Sequence, residues 1–323
     1  MTKSNKSISG PPTPSHFPLL VYFHGKKSNT QTFYDIERDN YEVKKIPDMF
    51  NKYVGKSSHG WSVMIDVNMR SGTCFLLNIA SLEKIKLPPW KFRTPMFSIL
   101  TLPPSDPKSI VAFFRPGISS VMFCHLDEKV WTEWELDDDD DDYDYESVIS
   151  CEGKIYCFTL KKMKVLDAEM RQSRVEKIKL PEWEVPGAMF FTRYFIESLG
   201  EIFVVIIIHY SWSMFKIRDV FVYKLDFEKA KWIRVNNLGV KRVFFISGET
   251  TSMSCSSIGS SGRVKENSIY IIPPFSNENE EMSFSNENEK MSIYIYDMEE
   301  KTITTQKFCS NVVYNVSAGQ WIM

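Results

Sequence analysis

Few residues in this sequence have the types and spacing that catalysis or metal binding requires. The Ser-x-x-Lys sequence at Ser81–Lys84 lacks the Ser-Asp-Asn and Lys-Thr-Gly sequences that accompany it in acyl-enzyme hydrolases. Glycine-rich phosphate loops, the His-Glu-x-x-His zinc motif and the Gly-x-Ser-x-Gly nucleophile elbow are also missing. No two histidines are spaced as a ligand pair, so we expect turn or surface positions for His16, His24, His59, His125 and His209. We therefore predict no catalytic residue, no cofactor and no metal ion.

The cysteines and the acidic run are the remaining candidates for metal chemistry. Six cysteines are scattered without a Cys-x-x-Cys pair and are predicted to be reduced thiols: Cys74, Cys124, Cys151, Cys157, Cys255 and Cys309. Cys151 and Cys157 share parity along what we interpret as one strand, which favours a buried thiol pair over a metal site. Six consecutive aspartates, Asp137–Asp142, lack the spaced oxygens and turn glycine of a Ca²⁺ loop. We interpret them as a solvated acidic loop, with an electrostatic docking patch and a Ca²⁺ site as alternatives.

Charge and hydropathy restrict the partners and the compartment. The chain has 323 residues, and its 39 Lys and Arg against 41 Asp and Glu give a net charge of -2, which disfavours nucleic acid. The longest apolar run, Ile202–Ile208, is too short to cross a membrane. The N-terminus has no apolar stretch typical of a secretory signal. We predict a cytoplasmic or nuclear protein, with organelle import still open because no acidic residue precedes Asp35.

Composition and an internal repeat predict the fold class. Aromatic residues make up 14% of the chain, while alanine and glutamine are scarce, a composition that favours strands over helices. The octapeptide EKIKLPPW at 83–90 recurs as EKIKLPEW at 176–183, 93 residues later, and Gly60 and Gly153 share this offset. Half of that offset matches one four-stranded propeller blade. We predict an all-β, closed β-propeller of four-stranded antiparallel blades.

Six hairpin-like segments give the blade count. Each has an apolar strand, a short polar turn and an alternating strand, and they occupy residues 32–47, 74–88, 122–136, 164–181, 220–235 and 292–308. Their turns are predicted at Asp35, Asn78, Asp127, Asp167, Asp226 and Asp297. We favour six blades, with seven as the alternative, and predict that residues 312–318 close the ring.

The predicted domain organisation is simple. Residues 1–17 form a flexible Pro- and Ser-rich tail, and residues 18–323 form one propeller with an acidic loop at 137–146 and a duplicated polar loop at 275–292. The periodic tryptophans are expected to fill the spaces between blades: Trp90, Trp131, Trp134, Trp183 and Trp232.

Several segments together resemble a known family. They are SSHGWSVMIDVNMRSGTCFLLNIASLEKIKLPPW (57–90), FFRPG (113–117), GKIYCFT (153–159), YFIESLGEIFVV (194–205), VFVYKLDFEKAKWIRVNNLG (220–239) and SIYIYDMEEKTI (292–303). In order and density they are similar to the plant F-box-associated KIB-type β-propeller family. The resemblance implies a propeller that acts as the substrate receptor of an SCF-type ubiquitin ligase, docked through an N-terminal F-box. Only the short tail precedes the first predicted strand, so we expect no F-box and no binding of a Skp1-type adaptor.

Two functions from different classes follow. The first is a non-catalytic protein-interaction propeller with an unknown protein partner. The alternative is a hydrolase-like propeller enzyme with acidic residues around the central channel. The strands expected near the channel are mostly apolar, with Asp66 as the main exception, which favours the first function.

Overall fold

The computed structural model describes the chain in sixteen stretches. They are residues 9–25, 29–66, 72–90, 97–115, 117–136, 145–159, 162–167, 172–176, 178, 190–210, 216–239, 241–248, 251–256, 263–272, 292–307 and 320–322.

The described strands form six sheets, the blades of a propeller. Blade 1 holds β1 (Leu19–His24), β2 (Thr30–Asp35) and β3 (Asn40–Lys44). Blade 2 holds β4 (Lys52–Ser58), β5 (Trp61–Asp66), β6 (Cys74–Asn78) and β7 (Lys84–Lys86). Blade 3 holds β8 (Phe97–Leu100), β9 (Ile110–Phe114), β10 (Ser120–His125) and β11 (Thr132–Glu135).

The second half of the ring follows the same plan. Blade 4 holds β12 (Ser147–Cys151), β13 (Lys154–Phe158), β14 (Met163–Asp167) and β15 (Gln172–Glu176). Blade 5 holds β16 (Phe191–Ser198), β17 (Glu201–His209), β18 (Ile217–Asp226) and β19 (Lys231–Val235). Blade 6 holds β20 (Arg242–Ser247), β21 (Thr251–Ser256), β22 (Ser268–Ile272), β23 (Ser292–Asp297) and β24 (Thr302–Lys307). The last strand, β25 (Gln320–Ile322), returns to blade 1. Between blades 1 and 2, one 3₁₀ turn spans Pro47–Met49.

These sheets confirm the predicted six-bladed propeller, with one departure in blade 6. Five blades are four-stranded and antiparallel. Blade 6 has the order β21-β20-β22-β23-β24, and its β20 and β22 run parallel. The β20–β21 hairpin places β21 innermost, so this blade carries one strand more than the repeat predicts.

The ring closes through the last strand. β25 pairs with β1 as the innermost strand of blade 1 and contacts β21 on one side and β4 on the other. Residues 312–318, predicted to close the ring, lie outside the described residues, and the described closure is made by 320–322. Pairing the two ends of the chain in one blade leaves no open sheet edge between first and last blades.

The core lies between the blades rather than inside one layer. Six apolar clusters fill the six interfaces between neighbouring blades. Strand β17 shows why its sequence is apolar throughout. Ile202, Val204, Ile206 and Ile208 pack towards blade 4, whereas Phe203, Val205 and Ile207 pack towards blade 6. A strand buried on both faces needs an apolar residue at every position.

Polar contacts near the channel reinforce each interface. In ring order they are Gln320 Nε2 to Gly55 O (3.2 Å), Ser58 Oγ to Leu100 O (3.2 Å), Ser150 Oγ to Thr101 O (2.7 Å), Arg193 with Glu146, Ser252 Oγ to Phe195 O (2.7 Å) and Trp321 Nε1 to Ile246 O (3.1 Å). Five of these contacts join a side-chain donor to a backbone carbonyl oxygen of the neighbouring blade, and the sixth, Arg193 with Glu146, is an ion pair.

The six predicted outer hairpins are confirmed, and the turn chemistry holds in four of them. Asp35, Asn78, Asp226 and Asp297 each accept backbone N–H groups two or three residues ahead. Asp127 lies in the turn after β10, as predicted, but in this turn the described side-chain contact is made by the Glu128 carboxylate, which accepts the His125 N–H. Asp167 ends β14, and its turn lies outside the described residues.

The 93-residue offset relates equivalent positions of blades 2 and 4 at the turn between their first two strands, but not in their outermost strands. Gly60 and Gly153 occupy the same turn of blades 2 and 4, two blades apart as predicted. The strand position of Lys84 is filled in blade 4 by Ser173, four residues before Lys177.

This shift has a simple cause. The connection between second and third strands is four residues shorter in blade 4, because Ser62 pairs with Leu77 whereas Ile155 pairs with Leu166. Residue 177 and residues 179–181 lie outside the described residues.

Three predicted loop or tail boundaries need correction. Phe17, assigned to the flexible tail, is buried against Phe245, because its ring completes the cluster between blades 6 and 1. Tyr145, assigned to the acidic loop, is buried against Phe114. Ser292, assigned to the duplicated loop, begins β23 and is buried. Residues 1–8, 137–144 and 273–291 lie outside the described residues.

Candidate functional site

Tight turns gather at one end of the propeller. In the four-stranded blades the innermost and third strands run in the same direction, so the turns that follow them lie at the same end. Three two-residue turns end the innermost strands of blades 2, 4 and 5: His59–Gly60, Glu152–Gly153 and Leu199–Gly200. We call this end of the propeller the turn face.

Leu199, on the turn face, is both exposed and held in a left-handed backbone conformation. Both residues of its turn have positive φ, 54° for Leu199 and 76° for Gly200, as a type I′ turn requires. Such turns favour Asn, Asp or Gly at the first position, and blades 2 and 4 place polar His59 and Glu152 there. Leu199 is nevertheless 75% exposed. Local folding therefore gains little from a leucine at this position.

Other large apolar side chains are exposed at both ends. Val130 and Phe227 lie in turns after third strands, on the turn face, and are 68% and 44% exposed. Tyr210 follows β17 on the opposite face and is 67% exposed. Both faces thus offer apolar contacts, and the turn face combines them with the unfavourable backbone conformation of Leu199.

A bulge in the innermost strand of blade 2 contains Lys56, which interacts electrostatically with Glu197 of the blade on the other side of the ring. Val54 pairs with Met64 and Ser57 with Ser62, which leaves Gly55 and Lys56 together opposite one residue. A Cβ atom on Gly55 would lie 2.0 Å from the Ser98 Oγ, so glycine permits the close approach of blades 2 and 3.

Glu197 lies on the other side of the ring from Lys56. Blades 2 and 5 face each other across the six-membered ring, and the charge of Glu197 acts on Lys56. Burial lowers the pKa of Lys56 to about 8, although the opposing carboxylate favours the charged ammonium. Within the described part of the chain Lys56 forms no ion pair.

Glu197 and Asp66 are each engaged in a structural contact. Glu197 accepts the Gly200 N–H at 2.9 Å and so supports the Leu199 turn. Asp66, the acidic residue that the enzyme alternative singled out, lies 3.5 Å from the Lys52 ammonium.

Cys151 and Cys157 are buried in separate places. Cys151 and Cys157 are not a pair on one strand, because the Glu152–Gly153 turn puts them on β12 and β13, facing different blade interfaces. Burial, helped by Glu197 and Glu152, raises the pKa of Cys151 to about 12. Burial also raises the pKa of Cys157 well above its usual range. Neither is a nucleophile at neutral pH.

One histidine departs from the prediction of turn or surface positions. His209 ends β17 and is buried, with its Nε2 3.1 Å from the Thr192 Oγ1. Burial lowers the pKa of His209 to about 4, so the ring is neutral at physiological pH. It has a structural place at the end of the strand.

The predicted packing role of the tryptophans is confirmed where the structure describes them. Trp90 is fully buried between blades 2 and 3, with its ring 4.3 Å from Phe113 and 5.6 Å from Trp131. Trp134 packs on Phe123. Trp232 packs against the cluster between blades 4 and 5. Trp183 lies outside the described residues.

Sequence reasoning missed Leu199 and Lys56. A comparison of the three turn dipeptides would have shown that leucine replaces a polar residue in one copy. Lys56 had a weaker signal, a Gly-Lys pair inside a strand-like segment, which is compatible with a bulge.

Family comparison agrees with this architecture. A sequence model of the KIB1-4 beta-propeller matches residues 33–297, well over half of the chain. The chain belongs to the KIB1-4 β-propeller family. The match begins in β2 and ends with β23, so it includes strands from all six blades.

The other comparisons show less. No curated protein matches the chain. A solved structure of virginiamycin B lyase from Staphylococcus aureus is 11% identical with a TM-score of 0.39, covering 92% of this chain and 83% of its own. A solved structure of the dihydro-heme d1 dehydrogenase NirN is 10% identical with a TM-score of 0.37. The match covers 94% of this chain and 66% of the NirN chain. At these values neither similarity bears on function. Among the described residues no helix is long and apolar enough to span a membrane.

Proposed function

We propose that this KIB1-4 family member is a non-catalytic propeller that binds another protein through the turn face, with Leu199 as an anchor. The observation that carries the proposal is an exposed leucine in a left-handed backbone conformation that disfavours it. A residue that is unfavourable for local folding and for solvation is best explained by a contact made outside the chain.

The energetics suit an interface anchor. Full burial of a leucine side chain contributes about 1.5–3 kcal/mol. With three quarters of the Leu199 surface exposed, a partner that covers it gains about 1–2 kcal/mol. The Glu197 contact to Gly200 holds the turn in place before binding, so little conformational entropy is lost on association.

The rest of the turn face can contribute to the same contact. Val130 and Phe227 add apolar surface, and the blade interfaces beneath them are closely packed. Loops displayed on a rigid scaffold are a common arrangement for recognition. The partner expected is therefore a protein with an apolar pocket or groove.

The hydrolase-like enzyme stays the alternative. Its acidic candidates, Glu197 and Asp66, are each used in a structural contact, which supports the non-catalytic proposal. The substrate-receptor role stays a prediction that the family resemblance suggests.

The test is site-specific photo-crosslinking. A photoreactive amino acid replaces Leu199 in one protein and Tyr210, on the opposite face, in the control. We expect a partner protein to be captured at position 199 and not at position 210. The substitution Leu199→Asn should then weaken the binding of that partner to the purified chain. Capture at 210 alone, or binding unaffected by Leu199→Asn, would overturn the turn-face proposal. Hydrolase turnover that is lost on Glu197→Gln would overturn its non-catalytic part.

A further inference from the structure

A groove of about 180 Å³ opens between blades 5 and 6. It exists because β19 pairs only with the second half of β18, from Val222 to Asp226. Within the described residues, the first half of β18 has no strand on its outer side. Asp219 and Phe221 from this first half line the groove, opposite Tyr296 and Lys301 of blade 6.

Two cations from different blades meet at this groove. The Arg234 guanidinium stacks on the Phe221 ring, 4.6 Å from its centre, which holds it at the wall. Lys301 extends from the turn between β23 and β24, and its Nζ lies 3.5 Å from the Asn236 carbonyl oxygen. Burial lowers the pKa of Lys301, and the positive charge of Arg234 lowers it further.

The groove does not supply a matching anion. Asp219 is the acidic residue of its lining, and one of its oxygens accepts the Val220 N–H at 2.8 Å. Among the described residues neither Arg234 nor Lys301 forms an ion pair. The three lining charges leave a net charge of +1, since two cations face one carboxylate.

A buried phenol adds a neutral donor. Tyr296 is 3% exposed and lines the groove, and in the described part of the chain its hydroxyl has no hydrogen-bond partner. Burial first, and then the negative charge of Asp219, raise the pKa of Tyr296 to about 12, so the hydroxyl keeps its proton. A carboxylate in the groove would accept from this O–H and from both cations.

We propose that the groove between blades 5 and 6 binds an acidic peptide side chain, a glutamate or aspartate, through Arg234, Lys301 and Tyr296. One carboxylate balances the net charge of the lining. The planar Arg234 fork, fixed by Phe221, suits a carboxylate held by two parallel hydrogen bonds. This site does not depend on the turn face, and its test requires no partner of Leu199.

The experiment is an NMR titration of the full chain with labelled tyrosine and arginine side chains. The probe is glutamate with both termini blocked, and the matched control is blocked glutamine, which has the same shape without the charge. We expect the Tyr296 and Arg234 signals to shift with blocked glutamate, with a dissociation constant in the low millimolar range, and to stay unchanged with blocked glutamine.

Variants locate the binding. The double change Arg234→Gln and Lys301→Gln should weaken binding at least tenfold, about 1.4 kcal/mol, whereas Lys231→Gln, on the same strand but outside the groove, should leave it unchanged. Tyr296→Phe keeps the buried ring and should weaken binding by a smaller factor. Equal shifts with blocked glutamine, no saturable shift, or an unaffected double variant would overturn the proposal. A tenfold preference for blocked phosphoserine would also overturn it, since the ligand would then be a phosphate.

Discussion

Replacing Leu199 by asparagine should make the protein more stable and a poorer binder. Leucine in a left-handed conformation costs about 1–2 kcal/mol, whereas asparagine adopts it more readily. Because Leu199 is 75% exposed, the substitution removes only about a quarter of its burial energy, or about 0.5 kcal/mol. The expected net gain in the free energy of unfolding is about 0.5–1 kcal/mol.

Binding should change in the opposite direction. A partner that covers the exposed part of Leu199 loses about 1–2 kcal/mol when asparagine replaces it, so the dissociation constant should rise about tenfold. Urea unfolding measures the first effect and titration of the crosslinked partner measures the second. A substitution that relieves backbone strain in a turn is not expected to weaken a complex unless its side chain contacts the partner. A gain in stability together with a loss of affinity therefore identifies Leu199 as a binding residue.

His59→Asn is the matched control. His59 has φ 52° at the first position of the equivalent turn in blade 2, so asparagine should relieve that turn too. It should leave the affinity for the partner unchanged. A Leu199→Asn protein that is less stable than the parent would refute the turn argument. A more stable protein with unchanged affinity would show that Leu199 is not an anchor.

Three further changes test the channel and the core. Gly55→Ala should destabilise the fold by about 1–3 kcal/mol in urea unfolding, and Ser98→Ala in the same chain should recover part of the loss, because the new Cβ would lie 2.0 Å from the Ser98 Oγ. Because His209 is buried and neutral, the free energy of unfolding should fall by up to about 3 kcal/mol as pH drops from 6.5 to about 4, since only the unfolded state takes up the proton in that range. The His209→Asn protein should show a flatter dependence of stability on pH. The pKa of Lys56 is about 8 in the folded protein, against the ordinary lysine value of 10.5. Between these two pH values Lys56 is protonated in the unfolded state and neutral in the folded state, so the free energy of unfolding should rise with pH. Lys56→Met should be more stable at neutral pH and should lose that rise, and a parallel pair of pH curves would contradict the lowered pKa of Lys56.

Local patterns predicted most of the blade architecture. Alternating apolar residues and the side-chain contacts of Asp35, Asn78, Asp226 and Asp297 act within about a dozen residues, so each outer hairpin is visible in the sequence. The 93-residue offset correctly placed Gly60 and Gly153 two blades apart. Asp127 also lies in its predicted turn, but there the side-chain contact comes from Glu128, which accepts the N–H of His125.

Distant contacts were beyond the sequence. Cys151 and Cys157 have the parity of one strand face, yet an intervening turn sends them to different interfaces. The residues around Phe17 are rich in Pro and Ser, as in a flexible tail, yet the interface between blades 6 and 1 buries its ring. In both cases the deciding interaction joins residues on different strands or blades.

The sequence by itself determined that this chain is an all-β propeller, because strand periodicity, turn residues and the repeat are properties of short segments. Only the tertiary structure decided where the candidate sites are. Lys56 and Glu197 face each other because the ring has six blades, and Arg234 and Lys301 meet because β19 ends early beside blade 6. Charges and exposed surface depend on which segments the closed ring brings together, and this juxtaposition arises only when all the blades have packed.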